Sequence, residues 1–144
     1  MPEIKSIVRE QVVTASPDTP ITDVAKQMAA EVVGSVVIVE NERPRGIVTD
    51  RDLALEVLAH GRDLSSLTAA DVMSEDVVTV DVDSGIFDVI RTMRESGVRR
   101  IPATDADGNL AGIATFDDFV ILLGRELQQL GDVVEAEIPP YEHA

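Results

Sequence analysis

The sequence contains no cysteine and few aromatic residues. Without cysteine, neither a disulfide framework nor a cysteine-based zinc site can form. Tryptophan is absent and aromatic residues make up 3% of the chain, against 44% hydrophobic residues, so we expect a core of aliphatic side chains and methionine. No apolar run approaches the roughly 18 residues of a membrane span, and no signal-like segment follows Met1. We therefore expect a soluble, cytoplasmic protein.

Basic residues are scarce as well. The chain has 12 lysines and arginines against 27 aspartates and glutamates, and its formal net charge is −15. A nucleic-acid partner requires a basic footprint, which argues against this class of function. The simplest interpretation is a solvated acidic surface. Abundant aspartate with only two lysines also resembles proteins of salt-loving microbes, in which salt screens self-repulsion.

The chain contains an internal repeat. The segment Val12-Val13-Thr14 returns sixty-five residues later as Val77-Val78-Thr79, and each is followed by a similar pattern of aliphatic and acidic residues. An internal repeat determines the architecture before any single element is assigned. Because a unit of roughly 60 residues is marginally stable alone, we expect the two copies to pack together.

The pattern of each copy predicts the order β-α-β-β-α, and hence an α/β fold. We place the first copy at residues 7–61, a linker with a short helix at 62–76, the second copy at 77–130, and an acidic, partly disordered tail at 131–144.

Several elements can be predicted individually. We expect the first strands at 12–14 and 77–80, and a strand buried on both faces at 36–39. Thr19 is expected to cap the helix that follows it, and the last helix to run from Phe116 to about Leu130.

The motif G-I-x-T-x-x-D occurs once in each copy, at the junction of a strand and a helix. The threonine lies where free N–H groups favour an anion. The aspartate, one helical turn later, can accept both hydroxyl hydrogens of a ribose diol, and hydrogen bonds to a charged group contribute about 1.5–3 kcal/mol each. Alternatively, threonine and aspartate only cap the helix, but two copies in matching positions favour a ligand site. The residues concerned are Gly46, Thr49 and Asp52, and Gly112, Thr115 and Asp118.

These motifs, together with Asp71-Val72-Met73 and the segment Gly97 to Pro102, resemble a tandem pair of CBS domains, the Bateman module. The resemblance covers roughly residues 7 to 130. It implies two repeats packed as a pseudo-two-fold module that binds adenosine-containing ligands in clefts between them. It also implies two sets of ligand-binding residues. The first is Thr14, Val36, Thr49 and Asp52, and the second is Thr79, Arg100, Ile101, Pro102, Thr115 and Asp118.

The two copies differ in their basic residues. Arg99 and Arg100 stand where the first copy has Gly34 and Ser35, while Arg51 stands where the second copy has an aspartate. Arginine offers a planar fork to a phosphate. We therefore expect Arg100, and after it Arg51, to bind phosphate.

No catalytic constellation stands out. His60 lies at a predicted helix end, and neither a Ser-His-Asp set nor a Walker loop occurs. We expect a regulatory module without catalytic activity, catalytic cofactor or metal. Its expected ligand is AMP, ADP or ATP, or else S-adenosylmethionine or NAD. It is expected to form a homodimer through exposed apolar helix faces and to act on an unknown effector protein. The alternative is a ligand-free dimerisation or protein-interaction scaffold.

Overall fold

The computed structural model describes residues 3–137. Each copy of the repeat folds around a three-stranded sheet whose middle strand pairs in parallel with one neighbour and antiparallel with the other. The elements of the first copy are β1 (Thr14–Ala15), α1 (Ile21–Glu31), β2 (Ser35–Glu40), β3 (Arg43–Thr49) and α2 (Asp50–Asp52), which a π-helical segment (Leu53–Leu58) continues. Between the copies lie a 3-10 turn (Leu64–Ser66) and α3 (Ala69–Val72). The second copy consists of β4 (Val80–Asp81), α4 (Ile86–Ser96), β5 (Arg100–Thr104), β6 (Leu110–Thr115) and α5 (Phe116–Glu137).

The predicted α/β order of two β-α-β-β-α repeats is confirmed. Val36, Val37 and Ile38 are buried in the middle strand, as their continuous β-branched run predicted. Gly97 ends α4 with φ at 67°, a left-handed conformation that glycine adopts without steric cost.

Three predicted boundaries were wrong. The first strands begin at Thr14 and Val80 rather than at Val12 and Val77, because only the last residues of each segment pair with the middle strand. Helix α1 has Pro20 at its N-cap, since the Thr19 hydroxyl accepts a hydrogen bond from Ser16 N–H instead.

The last helix is longer than predicted. It continues to Glu137, so the expectation of a disordered tail fails for residues 131–137. The remainder of that predicted tail, 138–144, lies outside the described residues. In the part of the chain that is described, no helix combines the length and the apolar composition that crossing a membrane requires.

The segment that precedes each copy packs into the core of the other copy. Ile4, from a 3-10 turn (Ile4–Ser6), is fully buried in the core of the second copy, where its N–H donates to Ser84 O at 2.9 Å. Leu67 and Val72, which precede the second copy, are buried in the core of the first. This reciprocal packing holds the two copies together and brings the N-terminal segment to the turn after β6.

Candidate functional site

The turn that follows β3 is closed by reciprocal hydrogen bonds. The Thr49 N–H donates to Asp52 Oδ2 at 2.9 Å, and the Asp52 N–H donates to Thr49 Oγ1 at 3.1 Å. This is the arrangement of a helix capping box. Within residues 3–137, the Asp52 carboxylate accepts no further hydrogen bond and forms no salt bridge, so the first copy shows the cap that was the alternative to a ligand role.

The matching turn after β6 includes a third residue, Arg9. The Thr115 hydroxyl donates to Asp118 Oδ2 at 2.8 Å, and the Asp118 N–H donates to Thr115 Oγ1 at 3.2 Å. Arg9 donates from Nη2 to Asp118 Oδ1 at 2.8 Å and from Nε to Oδ2 at 3.1 Å. This two-pronged contact is the geometry that a guanidinium favours with a carboxylate. Arg9 thus holds both oxygens that were predicted to accept a ribose diol.

Arg9 reaches Asp118 because its backbone joins the edge of the second sheet. Its N–H donates to Ile113 O at 3.1 Å, and the Ile113 N–H donates to Arg9 O at 3.0 Å. Gly112 permits this approach, since a Cβ there would overlap Val8 Cγ1 and lie 2.8 Å from Arg9 O. Gly112 therefore allows the N-terminal segment of the chain to pack against β6.

The first copy repeats this packing with a different side chain. A Cβ at Gly46 would lie 2.7 Å from Ser74 O and 2.7 Å from Met73 Sδ, and the Ser74 N–H donates to Ile47 O at 3.2 Å. Ser74 therefore occupies in the first copy the place that Arg9 occupies in the second. Serine does not supply a cation to the turn, which explains why, within residues 3–137, Asp118 forms a salt bridge and its counterpart Asp52 does not.

The contact with Arg9 shifts the ionisation of Asp118. Burial disfavours its charged form, but the hydrogen bonds from Arg9 and Thr115 and the charge of Arg9 outweigh burial, and the pKa of Asp118 lies below its ordinary value. The hydrogen bond to Asp118, followed by its charge, raises the pKa of Arg9. A carboxyl whose pKa is lowered by folding stabilises the fold above its unfolded-state pKa, and this stabilisation is lost as the pH falls through the folded-state value.

Replacing Arg9 by alanine is therefore expected to raise the pKa of Asp118 and to reduce the loss of stability on acidification. A carboxyl titration by NMR measures the pKa directly. The matched control is Arg99→Ala, which removes an arginine from the exposed pair that Arg99 forms with Asp117 at 3.3 Å. An unchanged pKa of Asp118 in the Arg9 variant would contradict the contact.

A cleft of about 250 Å³ opens beside this contact, between the two copies. We call it the arginine cleft. The first copy contributes the segment before β1 and the segment between α1 and β2, whereas the second contributes the start of β5 and the end of β6. Its lining residues are Arg9, Gln11, Val12, Val13, Val32, Val33, Gly34, Ser35, Arg99, Arg100, Ile113, Thr115 and Asp117. Each predicted set of site residues came from one copy, whereas the walls of the arginine cleft come from both.

Three arginines line this cleft in a chain whose net charge is −15. Arg9 pairs with Asp118, and Arg99 pairs with Asp117. Arg100 forms no salt bridge within residues 3–137. A Cβ at Gly34 would lie 3.1 Å from Arg100 Nη2 and 3.1 Å from Asp50 Oδ2, so the absence of a side chain at Gly34 leaves room for the guanidinium and for this carboxylate. Arg100 is thus the cation that can pair with an anionic ligand.

The other predicted site residues lie elsewhere. Arg51 is exposed on α2, and Thr14 and Thr79 are exposed at the first strands. Val36, Ile101 and Pro102 are buried in the strands β2 and β5, so their side chains do not line the cleft. Arg9, Gln11 and Val33 line the cleft and were not predicted as site residues. The repeat could have pointed to Arg9, because Arg9 aligns with Ser74 when the repeat is extended upstream.

A second depression, of about 500 Å³, lies beside the first copy. Asp76 and Val77 in its wall are the repeat counterparts of Gln11 and Val12 in the arginine cleft. Its lining residues are Pro44, Arg45, Met73, Glu75, Asp76 and Val77. With two carboxylates and one arginine, this depression attracts an anion less than the arginine cleft does. Within residues 3–137, no three histidine or acidic side chains form a group that could hold a metal ion.

Comparison with known proteins identifies the family to which this chain belongs. The CBS domain family matches residues 4–59 and 69–125. The chain therefore belongs to the CBS-domain family and contains two of its domains.

The chain is also similar to individual proteins. The chain is 33% identical over 121 residues to the CBS domain-containing protein YhcV of Bacillus subtilis, covering 84% of this chain and 85% of that protein. It is 36% identical over 118 residues to an uncharacterized protein of Methanopyrus kandleri, covering 81% of this chain but 60% of that protein.

A solved structure shares the fold. The CBS domain pair of protein MJ0100, crystallised with 5′-methylthioadenosine and S-adenosyl-L-methionine, superposes with a TM-score of 0.79 at 24% identity. The match covers 88% of this chain and 98% of that one.

Proposed function

We propose that this protein is a regulatory module that binds an adenosine-containing ligand in the arginine cleft. The observation that carries the proposal is the position of the Thr115–Asp118 turn, which borders a cleft shared by both copies and lined by Arg100. The MJ0100 domain pair, which has the same fold and was crystallised with adenosyl ligands, supports this ligand class. The candidate ligands are AMP, ADP, ATP, S-adenosylmethionine and NAD.

The cleft suggests how each part of the ligand is held. The aliphatic side chains of Val12, Val13 and Val33 offer a surface for the base, and Arg100 offers a cation for a phosphate. The two hydroxyls of the ribose diol donate to the Asp118 oxygens, which accept hydrogen bonds from Arg9 in the structure. Binding therefore displaces Arg9, whose side chain is 63% exposed and free to turn toward the ligand.

Regulation follows from the two-sided construction of the cleft. A ligand that contacts both copies stabilises one relative orientation of the copies over others. Ligand binding also breaks the contact between Arg9 of the N-terminal segment and Asp118. Because Ile4 of the same segment is buried in the core of the second copy, this change is transmitted to that core. The module acts as a homodimer and passes this change to an effector protein, with no catalytic step of its own.

A thermal-shift panel tests the proposal. AMP, ADP, ATP, S-adenosylmethionine and NAD are each added at high salt, with adenosine and 2′,3′-dideoxyadenosine as a matched pair that differs only in the diol. A ligand at 100 times its Kd stabilises the fold by about 2.7 kcal/mol, which is about 5–10 °C for a chain of this size. The absence of a shift with every compound would contradict the proposal.

The second candidate is a ligand-free scaffold. It is favoured by the Thr49–Asp52 capping box and by the Arg9 contact, which together satisfy both turns without a ligand. A scaffold would show equal melting temperatures with adenosine and with its dideoxy analogue. The regulatory module requires adenosine to stabilise the protein more.

Replacing Arg100 by alanine is expected to weaken AMP binding about tenfold while leaving adenosine binding within about twofold. The reason is that a charge-assisted contact to phosphate contributes about 1.5–3 kcal/mol, part of which is screened in an open cleft. Calorimetric titration with the two compounds measures both values. The matched control is Arg45→Ala, which removes an exposed arginine outside the arginine cleft. Equal losses for AMP and adenosine would show that Arg100 supports packing instead.

A further inference from the structure

Val32 ends helix α1 in a backbone conformation that valine rarely adopts. Its φ of 54° and ψ of 51° lie in the left-handed region, where the side chain of a β-branched residue crowds its own backbone. Within residues 3–137, the other residues besides glycine with a positive φ are Asn41 and Glu42, and neither is β-branched. Val32 is therefore the residue whose left-handed backbone conflicts most with its side chain.

The second copy ends its equivalent helix with a glycine. Gly97, sixty-five residues after Val32, has a φ of 67° at the end of α4. Both residues donate their N–H to the carbonyl of a methionine four residues earlier, Met28 in α1 and Met93 in α4. A Cβ at Gly97 would meet no atom within 4 Å, so the backbone conformation and not the available space favours glycine there. Ending the helix therefore does not require the valine of the first copy.

The Val32 side chain does not stabilise the fold either. It is 89% exposed, more than any other large hydrophobic side chain in the described part of the chain, and it belongs to neither hydrophobic core. Exposed methyl groups leave apolar surface in water. The first copy thus combines a strained backbone and an exposed apolar side chain at one residue, and strained residues cluster at ligand-binding sites.

Val32 contributes apolar surface to the arginine cleft. It lines this cleft together with Val12, Val13 and Val33, whereas the equivalent Gly97 does not line it. The strained valine therefore occurs in the copy in which this position borders the cleft. A purine ring has a flat face that gains from contact with methyl groups, as apolar walls of ligand sites do with bases and other rings. A phosphate or a sugar hydroxyl gains nothing from such a contact.

We propose that Val32 is a specificity-determining residue that contacts the base of the bound nucleoside, and that the protein is less stable at this position for the sake of binding. The inference rests on the proposed function and names a residue that contacts the base in the same site. The strain is present with and without ligand. Burial of the valine methyl groups is gained only when a base covers them.

The first test measures stability and affinity for two opposite substitutions. Val32→Gly is expected to raise the Tm by about 2–4 °C, because relief of the strain exceeds the entropy that glycine adds to the unfolded chain. It is also expected to weaken adenosine binding about fivefold, since the valine surface that the base covers is lost. Gly97→Val is the matched control outside the cleft. It should lower the Tm by about 2–4 °C and leave adenosine affinity within about twofold.

The second test identifies the part of the ligand that Val32 contacts. Adenosine and AMP share the base and differ in the phosphate, so Val32→Gly should weaken both by the same factor, in contrast to Arg100→Ala. Val32→Ile keeps the β-branch and the apolar surface, and we expect it to bind adenosine within about threefold of the wild type. Val32→Asn tolerates the left-handed region but is polar, and it should bind as weakly as the glycine variant.

The outcomes separate this inference from the proposed function. If the wild type binds adenosine and Val32→Gly binds it equally well, the contact with the base is overturned and the proposed function stands. A wild type that does not bind adenosine in the same titration would contradict the proposed function and the contact together. A glycine variant that is no more stable than the wild type would overturn the strain. A larger loss for AMP than for adenosine would place Val32 beside the phosphate and overturn its assignment to the base.

Discussion

Replacing Asp118 by alanine is expected to weaken adenosine binding about thirtyfold, which corresponds to the loss of about 2 kcal/mol from hydrogen bonds to a charged group. The Asp118 side chain is 14% exposed and accepts hydrogen bonds from the Thr115 hydroxyl and from Arg9 Nη2, each at 2.8 Å. Both of these partners line the arginine cleft, so the carboxylate that they contact lies next to it. Calorimetric titration with adenosine measures the effect.

The control for this substitution is Asp117→Ala. Asp117 is the neighbouring residue and pairs with an arginine of the same cleft, but its side chain is 76% exposed. We expect its removal to change adenosine affinity by less than about threefold, since exposed pairs contribute about 1 kcal/mol or less. The unfolding free energy of the Asp118 variant should fall by about 1 kcal/mol through loss of the Arg9 pair. Equal affinities for the two variants would leave Asp118 as a helix cap only.

Replacing Gly112 by alanine is expected to destabilise the fold by about 3 kcal/mol. The new Cβ overlaps Val8 Cγ1 and lies 2.8 Å from Arg9 O, so the N-terminal segment has to leave the sheet edge. Ile4, which is fully buried, then loses burial that contributes about 1.5–3 kcal/mol. Denaturant unfolding monitored by circular dichroism measures the difference.

Gly124→Ala serves as the control for the glycine substitution. Gly124 is helical and has open space where a Cβ would lie, so alanine should stabilise the helix by up to about 1 kcal/mol. A Gly112 variant as stable as the wild type would contradict the docking of residues 7–9 on the second sheet. A destabilised variant should also lose the low pKa of Asp118, because Arg9 leaves with the segment.

The repeat and the element order could be predicted from the sequence because both are encoded locally. Hydrophobic spacing distinguishes α4 from β5, and Gly97 marks the boundary between them. The turn residues Thr115 and Asp118 could be identified for the same reason, since strand end, cap and carboxylate lie within one short motif.

The walls of the cleft could not be predicted in this way. Arg9 meets Asp118 across 109 residues of sequence, through an exchange of segments that no local pattern encodes. The predicted site residues Val36 and Ile101 stay predictions, and their side chains lie inside strands that are buried on both faces. Extending the repeat upstream by aligning Arg9 with Ser74 would have drawn attention to the N-terminal segment.

The length of α5 was also missed. Gly131 and the acidic residues after it suggested a disordered tail, whereas the helix continues to Glu137. The apolar spacing from Leu127 to Val134 was the signal for helix, and it outweighs the low helix propensity of one glycine.

The most direct test of the ligand site is a thermodynamic cycle that combines one substitution with one chemical change in the ligand. Adenosine and 2′,3′-dideoxyadenosine are titrated into the wild type and into Asp118→Ala. If Asp118 accepts hydrogen bonds from the ribose diol, removing either the diol or the carboxylate weakens affinity about thirtyfold. Removing both then costs little more than removing either one. Losses that multiply, so that the double change weakens binding about a thousandfold, would show that Asp118 and the diol do not interact and would contradict the proposed site.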